Sequence, residues 1–352
     1  MRRLTTLAAA LFAGSLLLTG CGGGEDEPAA TDGTGAATGG GAAGELKVGL
    51  AYDIGGRGDQ SFNDSAAAGL DRAASELGLE EPEELEAADG ETDADKEERL
   101  RLLADGDYNP IIAVGFAYSA PLTAVAPDYP DTRFAIIDDA SAKGDNIANL
   151  IFAEEEGSFL VGAAAALKST TGNIGFVGGV ETPLIKKFEA GYAAGAKAVN
   201  PTIKIQAQYL TQVPDFSGFG DPAKGKTAAQ GMYDAGADVV YQAAGGSGGG
   251  VFEAASESGT KAIGVDSDQY NTADPAVREV IITSMLKKVD VAVSDFLTSV
   301  SEDNFTAGEL VYDLAKDGVG YSTTGGKIDD IVPQLDAFKA QIISGEITVP
   351  TS

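Results

Sequence analysis

Val48-Gly49-Leu50, then Gly55-Gly56, then a run carrying Ala68-Gly69-Leu70 and Ala73: this order returns later as Ile174-Gly175-Phe176-Val177, Gly178-Gly179, and a run carrying Ala190-Gly191-Tyr192 and Ala194. Each copy reads as an apolar strand, a glycine turn and a helix with small residues on one face. Two copies in tandem predict two similar α/β lobes. Open parallel sheets take ligands at the carboxyl ends of their strands, so two such lobes would bind between them, in a cleft.

The surrounding sequence extends the pattern. Strand-like runs are Leu46–Ala51, Ile111–Val114, Phe134–Ile137, Ile147–Phe152, Ile174–Val177, Ile203–Tyr209, Val239–Tyr241 and Ala262–Val265. Between them lie helical stretches: Ser65–Leu77, Lys96–Leu103, Gly157–Leu167, Lys186–Val199, Ala223–Ala235 and Val251–Ser258. Such alternation implies parallel sheets covered by helices. After Val265 a long helix is expected over Val277–Val300, crossing back to the first lobe. A strand at Leu310–Tyr312 and a last helix at Ile331–Ile343 follow. The expected division is residues 45–152 plus about 270–305 for the first lobe, and 153–269 plus about 306–352 for the second. That makes three crossings, a hinge suited to open-closed motion.

Ahead of the repeat, Arg2 and Arg3 precede an uncharged apolar run, Leu4–Leu18, that ends in Leu18-Thr19-Gly20-Cys21. The run is about the length of a signal segment and short of the roughly 20 residues of a spanning helix. The motif resembles the lipobox of bacterial lipoproteins. Residues 1–20 are therefore expected to be a signal peptide and Cys21, the sole cysteine, a lipidation (palmitate) site. Residues 21–44, rich in Gly and Ala, read as a flexible tether with roughly 25 Å of reach. The protein would then sit on the outer face of the cell membrane, held by lipid alone.

Composition excludes much. The net charge is −30, and removing Arg2 and Arg3 takes it to about −32, so nucleic acid is no expected partner. The chain has no histidine, which removes Ser-His-Asp and Cys-His catalysis and His-ligated zinc. No catalytic residue, cofactor or metal is expected, and the chain is read as a monomer.

The strand ends supply candidate binding residues. Asp53 ends a strand, Gly55 and Gly56 let the chain turn, and Ser61 or Asn63 would cap the next helix, with Phe62 at its start. Phe62 on this reading is either a pocket wall or a core plug. Asp138 and Asp139 follow Phe134–Ile137, and Asp139 reads as a solvated turn. In Asp215-Phe216-Ser217-Gly218-Phe219-Gly220-Asp221-Pro222, Asp221-Pro222 starts a helix, and Phe216 and Phe219 compete for one pocket position. Gly245–Gly250 lacks the Gly-Lys-Ser/Thr ending of a P-loop and reads as a strand–helix turn that lets backbone amides approach a hydroxyl. Asp266 ends its strand, with Asp268 beside it; Lys287 and Lys288 are neighbouring cations.

Five segments in order carry a resemblance: Asp53-Ile54-Gly55-Gly56 with Asp59-Gln60-Ser61-Phe62-Asn63 and Gly69; Asp221 to Lys226; Ala244-Gly245-Gly246-Ser247-Gly248; Gly264 to Gln269; and Thr283 to Lys287. Over roughly residues 45–350 the chain resembles the basic-membrane-protein family of lipoproteins. These are type I substrate-binding proteins of ABC transporters and include nucleoside-binding proteins. The resemblance implies a type I periplasmic-binding-protein fold, with two Rossmann-like lobes of parallel sheets joined by a three-crossing hinge. It also implies a nucleoside ligand, purine foremost, and permease and ATPase partners. By the same resemblance Phe62 and Phe219 stack the base, Asn63 and Asp138 hydrogen-bond it, and Asp266 and Lys287 hold the ribose. Asp53 and the Gly246 amide join the site. Gln60 stands where many relatives carry a basic residue. The other readings are a simple-sugar binder of the same fold, a carboxylate-run glycosidase or esterase, and a surface sensor or adhesin.

Overall fold

The apolar runs assemble into two six-stranded sheets. The computed structural model describes residues 46–88 and 90–352, so the expected leader, Cys21 and the whole of the tether lie outside the described residues. In chain order come β1 (Gly49–Ala51), α1 (Phe62–Leu77), β2 (Glu83–Leu85), α2 (Asp93–Asp105), β3 (Ile111–Ala113), α3 (Ser119–Val125), β4 (Phe134–Ile137) and β5 (Ile147–Phe152). Then follow α4 (Glu154–Lys168), β6 (Asn173–Glu181), α5 (Pro183–Val199), β7 (Lys204–Gln212), α6 (Pro222–Asp234), β8 (Val239–Ala243), α7 (Gly248–Ser258), β9 (Lys261–Asp266), α8 (Gln269–Thr272) and β10 (Ile281–Lys287). The chain closes with α9 (Val289–Ser301), β11 (Gly308–Tyr312), β12 (Val319–Tyr321) and α10 (Val332–Ile343).

The first sheet runs β11-β5-β4-β3-β1-β2 and is parallel throughout. The second runs β12-β10-β9-β8-β6-β7, parallel except for the β10–β12 pair. Central strands such as Phe134–Ile137 are buried along their whole length, as sheets covered on both faces require. Among the described residues no helix is long and apolar enough to cross a membrane.

Two late elements lie in the lobe opposite to the one expected. Residues 281–287, expected within a helix of the first lobe, form β10, which pairs with β9 in the second sheet. The run Ile281-Ile282-Thr283 is β-branched and favours the pleated sheet over the helix. Residues 308–312, expected in the second lobe, form β11, which pairs with β5 in the first sheet and stacks Tyr312 on Phe152 at 5.3 Å. Only α9 returns where expected: it packs on α1, where Arg72 pairs with Asp290 at 3.0 Å. The three crossings fall at 152–154, 287–289 and 312–319.

The repeat is also less exact than its sequence. Gly55 and Gly56 turn with φ of 102° and 57°, whereas Gly178 and Gly179 lie inside β6. There the missing side chain has a packing reason: a Cβ on Gly179 would lie 2.4 Å from the Phe219 ring.

Candidate functional site

The carboxyl ends of β1, β3, β4, β8, β9 and β10 converge on a cavity between the lobes of about 530 Å³, mouth included. Seven of the eight expected ligand residues line it: Asp53, Phe62, Asn63, Asp138, Phe219, Asp266 and Lys287. The eighth, Gly246, lies one residue past Gly245, which lines the cavity in its place. The chain turns tightly over Gly245–Ser247, and this sets Gly246 between the Phe219 carbonyl and Asp59, 3.4 and 3.8 Å from where its Cβ would stand.

Phe219 and Phe216 line different hollows. Phe219 closes the 3₁₀ turn Phe216–Phe219 and lines the cavity. Phe216 faces a neighbouring hollow and meets Phe116 edge-on, with centroids 5.9 Å apart. Asp221 caps α6, accepting from the Lys224 amide at 3.0 Å, and Pro222 opens that helix.

The start of α1 is organised by a residue to which the sequence reading gave no role. Asp59, not Ser61 or Asn63, satisfies the exposed amides: its carboxylate accepts from Ser61 N, Asn63 N and Asp64 N at 2.8–3.1 Å. Asn63 is spent on the loop. Its Oδ1 accepts from Asp53 N at 3.2 Å, and its Nδ2 donates to Ile54 O at 3.3 Å and Asp59 Oδ2 at 3.1 Å. Both amide hydrogens are used, so Asn63 can offer a ligand only a remaining lone pair.

Asp138 and Asp266 take matching positions in the two lobes. Each stands at a strand end with positive φ, 67° and 61°, a conformation Asp tolerates better than most residues. Such backbone strain gathers at sites of function. Lys287, ending β10, is 1% exposed and forms ion pairs with Asp138 and, at 3.4 Å, with Glu154 Oε1. Its Nζ also sits 5.0 Å from the Phe62 centroid and 5.1 Å from that of Phe152. Burial alone would pull this lysine down, but Asp138, Glu154 and Asp266 hold it above the usual lysine range.

The carboxylates feel the same burial with the opposite sign. Desolvation pushes Asp138 up to about 7, against the pull of Lys287. It takes Asp53 and Asp59 to about 6 and raises Asp266 as well. Asp138 Oδ1 is buried with no hydrogen-bond partner among the described residues.

The lobes are latched beside the cavity. Ser61 Oγ donates to Asp266 Oδ2 at 2.9 Å; Ser267 Oγ donates to the Ser61 carbonyl at 2.8 Å, and Gln269 Nε2 to the Gln60 carbonyl at 3.0 Å. Gln269 is itself anchored in the second lobe through Gln242 and the Val265 amide.

Sequence reasoning missed Phe116, Leu184, Ile185 and Phe188 in the lining. The signal for Leu184 and Ile185 was Thr182-Pro183: Thr182 caps α5 through the Ile185 amide, so the helix opens at Pro183 and not at Lys186. Phe116 follows β3 directly, where the strand-end rule applies.

Residues 46–352 match the family described as ABC transporter substrate-binding protein PnrA-like. The chain is 35% identical over 324 residues to the CD4+ T-cell-stimulating antigen of Listeria monocytogenes, covering 87% of this chain and 88% of that one. To the ABC transporter nucleoside-binding protein BmpA of Lactococcus lactis subsp. cremoris it is 34% identical, covering 87% and 90%. A solved solute-binding protein of an ABC transporter system from Aeropyrum pernix K1 superposes with a TM-score of 0.76 at 32% identity, over 87% of this chain and 94% of that one. The chain thus belongs to the PnrA-like family of ABC transporter substrate-binding proteins, a family that binds its substrate and is not one of enzymes.

Proposed function

We propose that this protein captures nucleosides, purine nucleosides foremost, in the interlobe cleft and delivers them to an ABC permease and ATPase for import. The observation that carries this reading is the polar valence left over around two aromatic rings. Phe62 comes from the first lobe and Phe219 from the second. Beside them the unspent polar atoms are acceptors: Asp138 Oδ1, the oxygen of Asp266 not bonded to Ser61, and the Asn63 lone pair. Sugar hydroxyls and base N–H groups are donors, and hydrogen bonds to a carboxylate are the strong ones. A nucleoside presents these donors around a flat ring that stacks. The name of the Lactococcus relative points the same way.

Calorimetry with purine nucleosides tests this. Base stacking contributes about 1–3 kcal/mol per aromatic partner, so Phe62→Ala and Phe219→Ala should each weaken binding by roughly ten-fold. Phe216→Ala, which faces the other hollow, is the control and should leave affinity near wild type. A Phe62 or Phe219 variant that binds as tightly as wild type makes that ring packing, not a stacking partner.

The same proposal places the protein outside the cytoplasm, a monomer held to the membrane through lipid on Cys21. Cys21→Ser should move it from the detergent phase to the aqueous phase with nucleoside affinity unchanged. Partitioning equal to wild type would remove the lipid anchor from the account.

A further inference from the structure

We infer that Glu154, which stands outside the cavity lining, is a positioning residue for the ligand site: it holds Lys287 between two carboxylates and keeps one oxygen of Asp138 free for a ligand donor. The inference rests on the nucleoside reading for what that oxygen receives, but its electrostatic part stands on this chain alone. Glu154 opens α4 immediately after the first lobe crossing and is 1% exposed. Its two oxygens are divided. Oε1 lies 3.4 Å from Lys287 Nζ, and Oε2 lies 3.4 Å from Lys187 Nζ on α5. Lys287 ends β10 at the second crossing, and Asp138 follows β4 in the opposite lobe. Glu154 and Lys287 therefore sit at lobe crossings, and Asp138 meets Lys287 from the end of β4.

The geometry gives Glu154 its task. An ammonium is a compact point charge without a fixed fork, so its place beside Asp138 is set by the other charges around it. With Glu154 drawing it the other way, Lys287 engages only Oδ2 of Asp138, and among the described residues Oδ1 stays without a partner. A buried acceptor in that state costs about 1–3 kcal/mol until something donates to it, so a ligand N–H or O–H there gains more than it would elsewhere. The charged groups acting on Asp138 are Lys287 from β10, Glu154 from α4 and Asp266 from β9. Glu154 in turn faces Lys187 from α5, and Tyr241 of β8 lies within its field.

Two variants with opposite expected signs test the assignment. In Glu154→Gln a negative neighbour is lost and Lys287 turns wholly to Asp138, so Asp138 ionises at lower pH. In Lys187→Met the charge of Glu154 is no longer shared, so Asp138 ionises at higher pH. The first readout needs no ligand. Asp138 holds its proton more tightly folded than unfolded, so its contribution to stability is full below about pH 4 and is lost as the pH rises towards about 7. Thermal unfolding across pH 4–9 should show that loss complete at lower pH in Glu154→Gln and at higher pH in Lys187→Met. The second readout is nucleoside affinity over the same range. Its acid limb should move the same way in each variant, with roughly five-fold weaker binding for Glu154→Gln at pH 8.

Unfolding profiles that differ from wild type only by a constant offset would reduce Glu154 to a structural residue and overturn the inference. Lys187→Met, at a half-exposed position, carries the test if Glu154→Gln does not fold. Shifted unfolding profiles in a protein that takes up no nucleoside would instead overturn the proposed ligand.

Discussion

Lys287→Met is expected to abolish measurable nucleoside binding and to cost about 3–5 kcal/mol of stability at pH 8, the range for removing one partner of a buried ion pair. Three buried carboxylates depend on this one ammonium: Asp138 and Glu154 by contact, Asp266 through its field. A methionine of similar reach refills the space among Phe62, Phe152 and Phe188 but supplies no charge. The penalty should depend on pH, with a sign fixed by the carboxylates. Asp138 already ionises only near 7, and without Lys287 it would hold its proton to higher pH still. Below that point the cluster relieves itself by taking up a proton, so the variant should lose least at pH 5–6 and most at pH 8. Chemical denaturation at the two pH values measures this. A loss equal at both, or larger at the acidic one, would show that Lys287 acts by packing and not by charge.

The second large effect is discrimination against phosphate. Adenosine or guanosine should bind at least ten-fold more tightly than its 5′-monophosphate. Asp53, Asp59, Asp138 and Asp266 line the cavity, and Lys287, the one cation that the described residues bring to that lining, is already engaged by Asp138 and Glu154. Repulsion between unit charges 4 Å apart is about 4 kcal/mol at an effective dielectric near 20, and half of that already exceeds ten-fold in affinity. Burial of a phosphate with no free cation adds a desolvation cost. Because burial takes Asp53 and Asp59 to about 6 and Asp138 to about 7, the discrimination should widen as the pH rises from 6 to 8 and these three carboxylates complete their ionisation. Calorimetry at moderate salt decides it. Equal affinity for nucleoside and nucleotide would mean that the ligand does not sit among these carboxylates.

What the sequence makes legible divides along physical lines. Strands with an unbroken apolar run between turn residues, such as Ile111–Val114, are visible because nothing else in the sequence competes with that pattern. β10 is hidden because a buried strand and a buried helix segment share the same apolar run; only the β-branched start at Ile281 distinguishes them. β2, Glu-Glu-Leu at the sheet edge, offers a single apolar residue, Leu85, and so no run to read. The aspartates at strand ends could be named because the fold class says where ligands lie. Asp59 and Glu154 could not be given roles, since these come from partners brought close only by folding, Glu154 meeting Lys287 from 133 residues along the chain. Phe219 and Phe216 stand in one short turn-rich segment, and only the folded position of each ring tells which of them lines the cavity.

The latch between the lobes leaves unusual freedom to sequence drift. Two of its acceptors are the main-chain carbonyls of Gln60 and Ser61, and no substitution deletes a carbonyl. What must persist at position 60 is the backbone shape, φ of 56°, which Asp64 holds by accepting the Gln60 amide at 3.0 Å. The Gln60 side chain is exposed. A glutamine, a lysine or an arginine can therefore occupy position 60 with the closing bonds intact. The edge of the cleft can change its charge from one lineage to the next without altering how the lobes shut.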